Sequence, residues 1–569
     1  MPEDVERCMS DASVARRWTT IVGVPSRQAR AAVRIALTIA AALLLSRVWF
    51  LAHRAIDLDE YEHGHAAWSV ARGLIPYRDF FEHHPPALYL LSAPLFAAPA
   101  TATDAAAAAG ALMRARAAMW LMTFAAVGIV YRLGLLLRDR RDGAIHLQAD
   151  RCRARRGGDV NESDRDGRLG AAFAVALLLG SSQFVESMLE FRPDVPAVLC
   201  LLLTIWCVVG AAGGRDDSRS RARLLAGGVA YGAALLFTQK VLFAAPGLGV
   251  ALLLRRRVAP PILVAIGAML PIVATAWWFS GHGALAPLAY YTITFNRHLN
   301  ADGFSPFPRL LSNIVQQPAL YVLGVAGIVT SVRVRPTRFR VRRRAKPLRR
   351  AAVARLTPSR DIEFETGFSR TVILSTSVSL IAGIFIIGRS YDQYYALLLP
   401  LLAVLGGSCA ADRFDAAPPR RSLVAGAALV AVAVWCLAVS ARRFEPIEPQ
   451  LEEIAFVLQR TAPADAYFGA SPGAALFRPH AWYFFFMTAR FASDRDFADV
   501  LHAFETGRLR PPLVVRNRLE EQMPPSLVAY IDGHYRPAHG GVYLRQSEYG
   551  NASLNTSDAS DRFDRPFTR

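Results

Sequence analysis

Long blocks of mostly apolar residues are the feature that most constrains this chain. Two examples are Ile35 to Leu51 and Val372 to Ile387, and a helix needs roughly 17–25 such residues to cross a bilayer. Hydrophobic residues make up 53% of the 569-residue chain, which exceeds the roughly 45–50% of soluble domains. The pattern predicts a mainly α-helical, polytopic membrane protein and excludes a purely soluble enzyme.

The net charge of +19 is concentrated in loops between the apolar blocks. Basic residues crowd the segments Arg138 to Arg168 and Arg333 to Arg360, and the positive-inside rule assigns such loops to the cytoplasm. Neither segment has interleaved aromatic residues or a known nucleic-acid-binding module. The charge is therefore interpreted as a topology signal, and we expect no nucleic-acid partner.

The alternation of basic and non-basic loops predicts about eleven spans, with the N-terminus inside and the C-terminus outside. Residues 87–100 are apolar but broken by Pro94 and Pro99, which favours an interfacial or re-entrant helix over a span. The predicted spans are 33–52, 112–137, 169–187, 195–213, 224–240, 241–254, 258–279, 314–332, 370–388, 395–411 and 422–440.

Four regions follow from this topology. They are a cytoplasmic segment (1–32), a transmembrane catalytic domain (33–440), a small α/β domain outside the membrane (441–545) and a disordered tail (546–569). The tail is predicted from its Ser, Asp, Asn and Arg content. The six cysteines have no paired or metal-ligand spacing, so we predict no disulfide. The expected location is the inner (plasma) membrane, with the active site facing the periplasm or outside.

The densest cluster of ionisable residues lies in the segment 57–86, called the first loop below, which is predicted to lie outside the membrane. Asp59, Glu62 and His63 are three and four residues apart, so they share one face if this part is helical. An ordinary solvated loop is the alternative interpretation. The loop's carboxylates are Asp57, Asp59, Glu60, Glu62, Asp79 and Glu82, and its imidazoles are His63, His65, His83 and His84.

The first loop resembles a known family. Its Asp59-Glu60 near the start, followed by Tyr77-Arg78-Asp79-Phe80-Phe81-Glu82-His83 and Pro85-Pro86, is similar to the GT-C superfamily of membrane glycosyltransferases. Within it, the match is to the branch of protein O-mannosyltransferases and lipid A aminoarabinose transferases. Three weaker motifs extend the likeness over most of the membrane part: Arg192-Pro193-Asp194, Thr238-Gln239-Lys240 and Tyr391-Asp392-Gln393-Tyr394-Tyr395.

The resemblance implies sugar transfer from a polyprenyl-phosphate-linked donor on the outer face. It implies that Asp59 is the catalytic general base, because an acceptor hydroxyl is a poor nucleophile until a carboxylate takes its proton. A single displacement would invert the anomeric configuration. The predicted substrate-binding residues are Glu60, Asp79, Glu82, His83, His84, Arg192, Asp194, Lys240 and Tyr394.

Three of these residues are candidates to bind the donor phosphate, since charged side chains at membrane depth are costly unless they are functional. They are Arg192, Lys240 and His84. Lys240 has a second interpretation as a snorkelling lysine at a helix end, and Arg192 as half of a structural ion pair with Asp194. Related enzymes often have Lys where this chain has His84, so a phosphate contact there stays open.

A divalent metal is the remaining alternative for the site. Asp57-Leu58-Asp59 forms an Asp-x-Asp pattern, and His63, His65, His83 and His84 are zinc-type ligands. The family branch generally needs no catalytic metal, so we predict no metal and no other cofactor.

The sequence thus predicts an integral membrane glycosyltransferase, hexosyl or pentosyl, whose partners are a polyprenyl-phosphate-sugar, membrane lipids and a lipid, glycan or protein acceptor. A transporter or lipid flippase is the competing class, and a non-catalytic scaffold is a third. The position of the acidic cluster in a long loop, away from the bilayer midplane, argues against the transporter.

Overall fold

The computed structural model describes residues 27–138, 163–211, 218–254, 258–299, 305–333, 360–387, 391–415, 419–487 and 491–546. Most of the predicted cytoplasmic segment 1–32, of the two basic loops and of the tail 546–569 therefore lies outside the described residues. Four cysteines are described, and all four are free thiols, in agreement with the expected lack of disulfides in this part of the chain.

The described residues form a bundle of helices followed by a small sheet. The helices of the bundle are α1 (Arg27–His53), α2 (Leu58–Ala71), α3 (Ala87–Phe96), α4 (Ala105–Arg138), α5 (Ser163–Leu179), α6 (Ser182–Ser187), α7 (Asp194–Ala211), α8 (Ser218–Phe237), α9 (Ala245–Leu253), α10 (Ala259–Gly281), α11 (Leu285–Ala289), α12 (Asn296–Leu299), α13 (Phe307–Gln316), α14 (Pro318–Arg333), α15 (Arg360–Ile386), α16 (Leu399–Asp415) and α17 (Pro419–Arg442).

Five described helices are long and apolar enough to cross a membrane: Arg34–His53, Ala105–Leu137, Asp194–Ala211, Ala259–Gly281 and Gly367–Ile386. A sixth span results if α13 and α14, which are bent by 105° at their junction, are counted as one. The multi-pass helical architecture is confirmed. The count of eleven spans and the inward N-terminus stay predictions.

Helix α10 shows how the bundle meets its surroundings and its neighbours. One face exposes Ile262, Ile266 and Trp277, which is the apolar surface expected where a helix contacts lipid. The opposite face packs on α8 through Gly228 and Gly267, where a Cβ on either glycine would clash with a backbone carbonyl of the other helix. Small residues of this kind let membrane helices approach closely.

The region predicted to be interfacial or re-entrant is short and broken. Helix α3 contains Pro94 and is only 10 residues long, and a 3₁₀ turn follows at Pro99–Ala102. Both prolines remove a backbone donor and restrict φ, which explains why the apolar run does not continue as one long helix.

The C-terminal domain contains the only sheet among the described residues. Its helices are α18 (Glu448–Arg460), α19 (Asp494–Glu505) and α20 (Pro525–His534), and its strands are β1 (Tyr467–Gly469), β2 (Leu513–Val515), β3 (Tyr535–His539) and β4 (Val542–Arg545). The strand order is β1-β2-β4-β3, with β1 and β2 parallel and the other pairs antiparallel. The predicted fold class, a helical membrane bundle with a small α/β C-terminal domain, is confirmed.

The C-terminal domain packs directly on the first loop. The backbone N–H of Phe81 donates to the carbonyl of Tyr483 at 2.9 Å, and the Tyr483 hydroxyl donates to the carbonyl of Tyr77 at 2.7 Å. Arg478 is fully buried and donates to the carbonyl of Ala102 at 2.9 Å, just beyond α3. The domain therefore helps to hold the loop that carries the candidate site.

Candidate functional site

Helix α2 begins at the start of the first loop because Asp57 caps it. The Asp57 side chain accepts from the backbone N–H of Asp59 at 3.0 Å, and the Glu60 side chain accepts from the N–H of Asp57, which completes a capping box. The Asp-x-Asp pattern thus has a structural explanation as a helix cap. Asp59, Glu62 and His63, which were predicted to share one face of a helix, all lie in α2.

Asp59 forms an ion pair with Arg192, and the same guanidinium binds Glu190 at 2.5 Å. Asp57 lies 3.9 Å from Arg192, and Arg54 binds the other oxygen of Glu190 at 2.8 Å. Asp59 keeps 33% of its side chain exposed, whereas Arg192 is buried. Arg192 therefore holds the Asp59 carboxylate in place while one side of that carboxylate stays open.

Lys240 lies on the same side of the bundle, and its partner is Asp194. The Lys240 Nζ donates to Asp194 Oδ1 at 2.9 Å and lies 4.1 Å from the ring centroid of Tyr394. The alternative pairing of Arg192 with Asp194 is wrong, because Arg192 reaches across to Asp59 and Glu190 while Asp194, the first residue of α7, faces Lys240. Lys240 is paired inside the protein, which also argues against a snorkelling lysine.

Glu60 is buried, and both of its carboxylate oxygens accept hydrogen bonds from the protein. Arg116 donates to both of its oxygens, at 2.9 and 2.6 Å, and the backbone N–H of Phe191 donates at 3.0 Å. Burial alone would raise the pKa of Glu60, but the Arg116 guanidinium holds it below its ordinary value. These contacts tie α2 to α4 and to the turn that carries Arg192, so the geometry suits a structural role better than a substrate contact.

Two carboxylates and two imidazoles converge at the other end of the site. The Nδ1 atoms of His83 and His84 lie 3.8 Å from Glu62 Oε1 and 3.7 and 3.0 Å from Glu82 Oε1. One ligand-type atom from each of the four residues lies within 4.8 Å of the others. Burial, followed by the neighbouring Glu82 and Asp59 carboxylates, raises the pKa of Glu62 well above its usual range.

The backbone around these histidines is held from several directions. Glu82 Oε1 accepts the N–H groups of both His83 and His84 at 2.8 Å. Asn296 donates to the His83 carbonyl at 2.7 Å, and the Tyr77 hydroxyl donates to the His84 carbonyl at 2.6 Å. Tyr77 adopts a left-handed φ of 68°, a conformation that is costly for a bulky residue and often found at functional sites.

The other two histidines of the first loop point elsewhere. The Nδ1 of His63 is 3.1 Å from the Tyr89 hydroxyl, and the Nδ1 of His65 is 2.9 Å from the Leu476 carbonyl in the C-terminal domain. Burial, followed by the charges of His84, Arg192 and Lys240, lowers the pKa of His63 well below its ordinary value. Its imidazole is therefore neutral.

Asp79 does not join the cluster. It accepts from the backbone N–H of Ile75 at 2.7 Å and pairs with its neighbour Arg78 at 2.7 Å. It therefore stabilises the turn that leads into the second half of the loop.

Several residues of the site were not selected from the sequence. Glu190 lies in the turn that contains Arg192, and Glu62 lies one helical turn from Asp59. Closeness in sequence to a selected residue could therefore have identified both. Arg116 could have been identified more directly, because an arginine inside a predicted membrane span almost always has a buried partner.

Comparisons with known proteins agree with the fold and the motifs. Residues 166–279 match the family model "Dolichyl-phosphate-mannose-protein mannosyltransferase". Two crystal structures of ArnT from Cupriavidus metallidurans are similar to this chain. The apo form has a TM-score of 0.56 at 12% identity, and the form bound to undecaprenyl phosphate has 0.53 at 13%. Each alignment covers 90% of this chain and 97% of ArnT. A search of curated protein sequences gave no significant match.

The matched family segment contains both Arg192 and Lys240. The resemblance inferred from the first-loop motif is confirmed: the chain has the fold of the GT-C membrane glycosyltransferases and resembles the branch that holds ArnT and the protein mannosyltransferases.

Proposed function

We propose that this protein transfers a sugar from a polyprenyl-phosphate-linked donor to a hydroxyl group at the outer face of the inner membrane. The observation that carries the proposal is the pairing of a half-open Asp59 carboxylate with buried Arg192, beside Lys240, on a GT-C fold. The likeness to a protein solved with undecaprenyl phosphate supports a donor of this chemical class.

Asp59 is the general base of this reaction. One Asp59 oxygen accepts from Arg192, and no described residue donates to the other, Oδ1, so that oxygen is available to an acceptor hydroxyl. The hydroxyl oxygen attacks the anomeric carbon as its proton moves to Asp59. The bond from that carbon to the phosphate oxygen breaks, and polyprenyl phosphate leaves with the electron pair. A single displacement of this kind inverts the anomeric configuration.

The leaving phosphate needs cationic or hydrogen-bonding groups, because negative charge develops on it in the transition state. Lys240 Nζ uses one of its three donors on Asp194, so two remain for a phosphate oxygen. Arg192 uses both of its terminal nitrogens on carboxylates, and its Nε has no hydrogen-bond partner among the described residues. Lys240 is therefore the primary phosphate contact, and Arg192 positions Asp59.

The C-terminal domain limits access to the site. Its Tyr483 holds the first loop at Tyr77 and Phe81, and the Phe81 ring lies 4.8 Å from that of Phe484. Because the domain contacts the loop that carries Asp59, we infer that it helps to select the acceptor. The acceptor is a hydroxyl of a lipid, a glycan or a protein.

The test measures transfer by purified protein in nanodiscs. Radiolabelled polyprenyl-phosphate hexoses and pentoses serve as donors, and a membrane-lipid extract, glycan fragments and a serine/threonine-rich peptide serve as acceptors. Wild type is compared with Asp59→Asn, which keeps the shape of the side chain and removes its basicity. We expect labelled product with wild type and a loss of about 10²–10⁴-fold in the variant.

Asp104→Asn is the matched control. Asp104 is exposed and caps α4 through the N–H of Ala107 at 2.8 Å, and asparagine caps a helix equally well. The control should transfer at the wild-type rate. Equal rates for wild type and Asp59→Asn would disprove the role of Asp59. Movement of an unaltered lipid across sealed vesicles, with no product from any donor, would favour the transporter class instead.

A further inference from the structure

We propose that Glu62, Glu82, His83 and His84 form a binding site for one divalent transition-metal ion, with zinc as the best-fitting ion. This proposal replaces the expectation of a metal-free site. It also differs from the two metal patterns considered in the sequence, which were the Asp-x-Asp pattern at Asp57 and the set of four histidines. Asp57 is a helix cap, and His63 and His65 have other partners.

The distances suit a single ion. A tetrahedral zinc with bonds of about 2.0–2.2 Å separates its ligand atoms by about 3.3–3.6 Å. In the structure three of the contacts among Glu62 Oε1, Glu82 Oε1 and the two Nδ1 atoms are 3.7–3.8 Å, and the fourth is 3.0 Å. These four separations are within a few tenths of an ångström of those in a zinc coordination sphere, and all the ligand atoms lie within 4.8 Å of one another.

The ligand set is chemically appropriate. Two imidazoles and two carboxylates offer nitrogen and oxygen donors of the kind that zinc and similar divalent ions take. His83 and His84 are adjacent in sequence, and their ring centroids are 3.9 Å apart. Their carbonyls are bound by Asn296 and Tyr77, so the backbone that presents both rings is held in advance of binding.

A divalent cation would neutralise the two buried carboxylates of the cluster. Glu62 and Glu82 are buried, and neither has an arginine or lysine within salt-bridge distance among the described residues. Glu82 Oε2 is buried and has no hydrogen-bond partner in that same part of the structure. Buried carboxylates are costly unless they are paired or coordinate a metal.

The position of the ion gives it a function that rests on the proposed glycosyl transfer. Glu62 lies one helical turn from Asp59 in α2, and the ring of His63 lies 5.0 Å from that of His84 while His63 experiences the charges of both Arg192 and Lys240. An ion here adds positive charge close to the arginine–lysine pairs that surround Asp59 and Asp194. It would help to bind the donor phosphate where this chain has His84.

The test measures zinc directly and does not require any transfer activity. Full-length protein carrying a histidine-free affinity tag is stripped with EDTA in detergent and titrated with Zn²⁺ against a fluorescent chelator. Its metal content is then counted after desalting. We expect one zinc per chain, with an X-ray absorption spectrum of two imidazole nitrogens and two oxygens.

Two variants remove ligands, and two serve as controls. His83→Ala/His84→Ala and Glu82→Gln should weaken zinc binding by at least the about 10–100-fold that loss of an outer-shell partner causes. His502→Ala, which removes an exposed histidine of the C-terminal domain, and Asp59→Asn should bind zinc as wild type does. Asp59→Asn separates the two proposals, since it loses the base and keeps all four ligands.

Wild-type protein without stoichiometric zinc would overturn the proposal. So would binding that is unchanged in Glu82→Gln, or an absorption spectrum with sulfur ligands. If the double histidine variant fails to fold, Glu82→Gln and the wild-type spectrum decide the question.

Discussion

The two halves of the site hold their carboxylates in different ways. In the arginine–lysine half, formed by Asp59, Glu190, Arg192, Asp194 and Lys240, each carboxylate lies against an arginine or a lysine. In the histidine half, formed by Glu62, Glu82, His83 and His84, the two buried carboxylates have imidazoles as their only salt-bridge partners among the described residues.

The difference shows what each half still needs. In the arginine–lysine half every carboxylate has a cationic partner within the protein, so its geometry is set before a substrate arrives, and in the proposed reaction the exposed side of Asp59 takes the proton. In the histidine half, no arginine or lysine among the described residues lies within salt-bridge distance of the carboxylates, which is why we propose a bound cation there and not beside Arg192.

The largest expected effect comes from one isosteric change in each half. Asp59→Asn should reduce transfer by about 10²–10⁴-fold and leave zinc content at one per chain. Glu82→Gln should bind zinc at least about 10–100-fold more weakly than wild type and therefore contain less than one zinc per chain. Initial rates and metal counts on the same preparations check both. A loss of zinc in Asp59→Asn, with zinc kept in Glu82→Gln, would show that the two halves are wrongly separated.

A second change tests whether the Glu60–Arg116 ion pair stabilises the fold around the arginine–lysine half. Arg116→Leu leaves the buried Glu60 carboxylate without its bidentate partner, and breaking such a pair costs about 3–5 kcal/mol of unfolding free energy. Chemical unfolding in detergent measures this change in unfolding free energy. Arg114→Leu is the control, because Arg114 is exposed on the same helix and makes one contact, to the Leu95 carbonyl at 3.3 Å. Equal losses in both variants would contradict the structural role of Glu60.

A third change asks whether Lys240 acts on the donor. Lys240→Met removes a hydrogen bond to a charged group, worth about 1.5–3 kcal/mol, so we expect a tenfold to hundredfold fall in kcat/KM for the donor. Lys240→Arg keeps the positive charge and should recover part of the lost kcat/KM. The recovery is incomplete because the planar guanidinium does not reproduce the ammonium geometry. If Lys240→Met changes stability and leaves donor kcat/KM unaltered, Lys240 serves only to pair Asp194.

The smallest expected effect concerns histidines that lie outside both halves. Burial lowers the pKa of His65 to about 3 and that of His480 to about 4, and both rings contact Tyr467 where the C-terminal domain meets α2. Unfolded histidines protonate near their ordinary pKa of about 6.5. The unfolded state therefore binds more protons between about pH 6.5 and 4, and stability is lost as the pH falls through that range.

Thermal unfolding at pH 7.5, 6 and 5 measures this loss. His480→Gln removes one of the two groups, so its melting temperature should fall less steeply with pH than that of wild type. Identical slopes for the two proteins would show that the interface does not depend on neutral His480.

Part of the site was predictable because its signals are local. Asp59 and Glu62 are separated by one turn of a helix that Asp57 caps, and the cap and the spacing are both present in the printed sequence. Glu82, His83 and His84 are adjacent. Their convergence on Glu62, about twenty positions earlier, was not predictable, because it depends on the left-handed turn at Tyr77 and on Asn296, which comes from a distant segment.

The sequence alone was sufficient for the helical membrane class, the α/β C-terminal domain and the first-loop motif. Each depends on residues close together in the chain, through apolar length, periodicity or contiguous pattern. Tertiary structure alone decided which charges pair. Asp59 and Arg192 are 133 residues apart, Glu60 and Arg116 are 56 apart, and Asp194 and Lys240 are 46 apart. A buried charge pairs with whichever opposite charge the packed helices bring within about 4 Å, and sequence spacing carries no information about that distance.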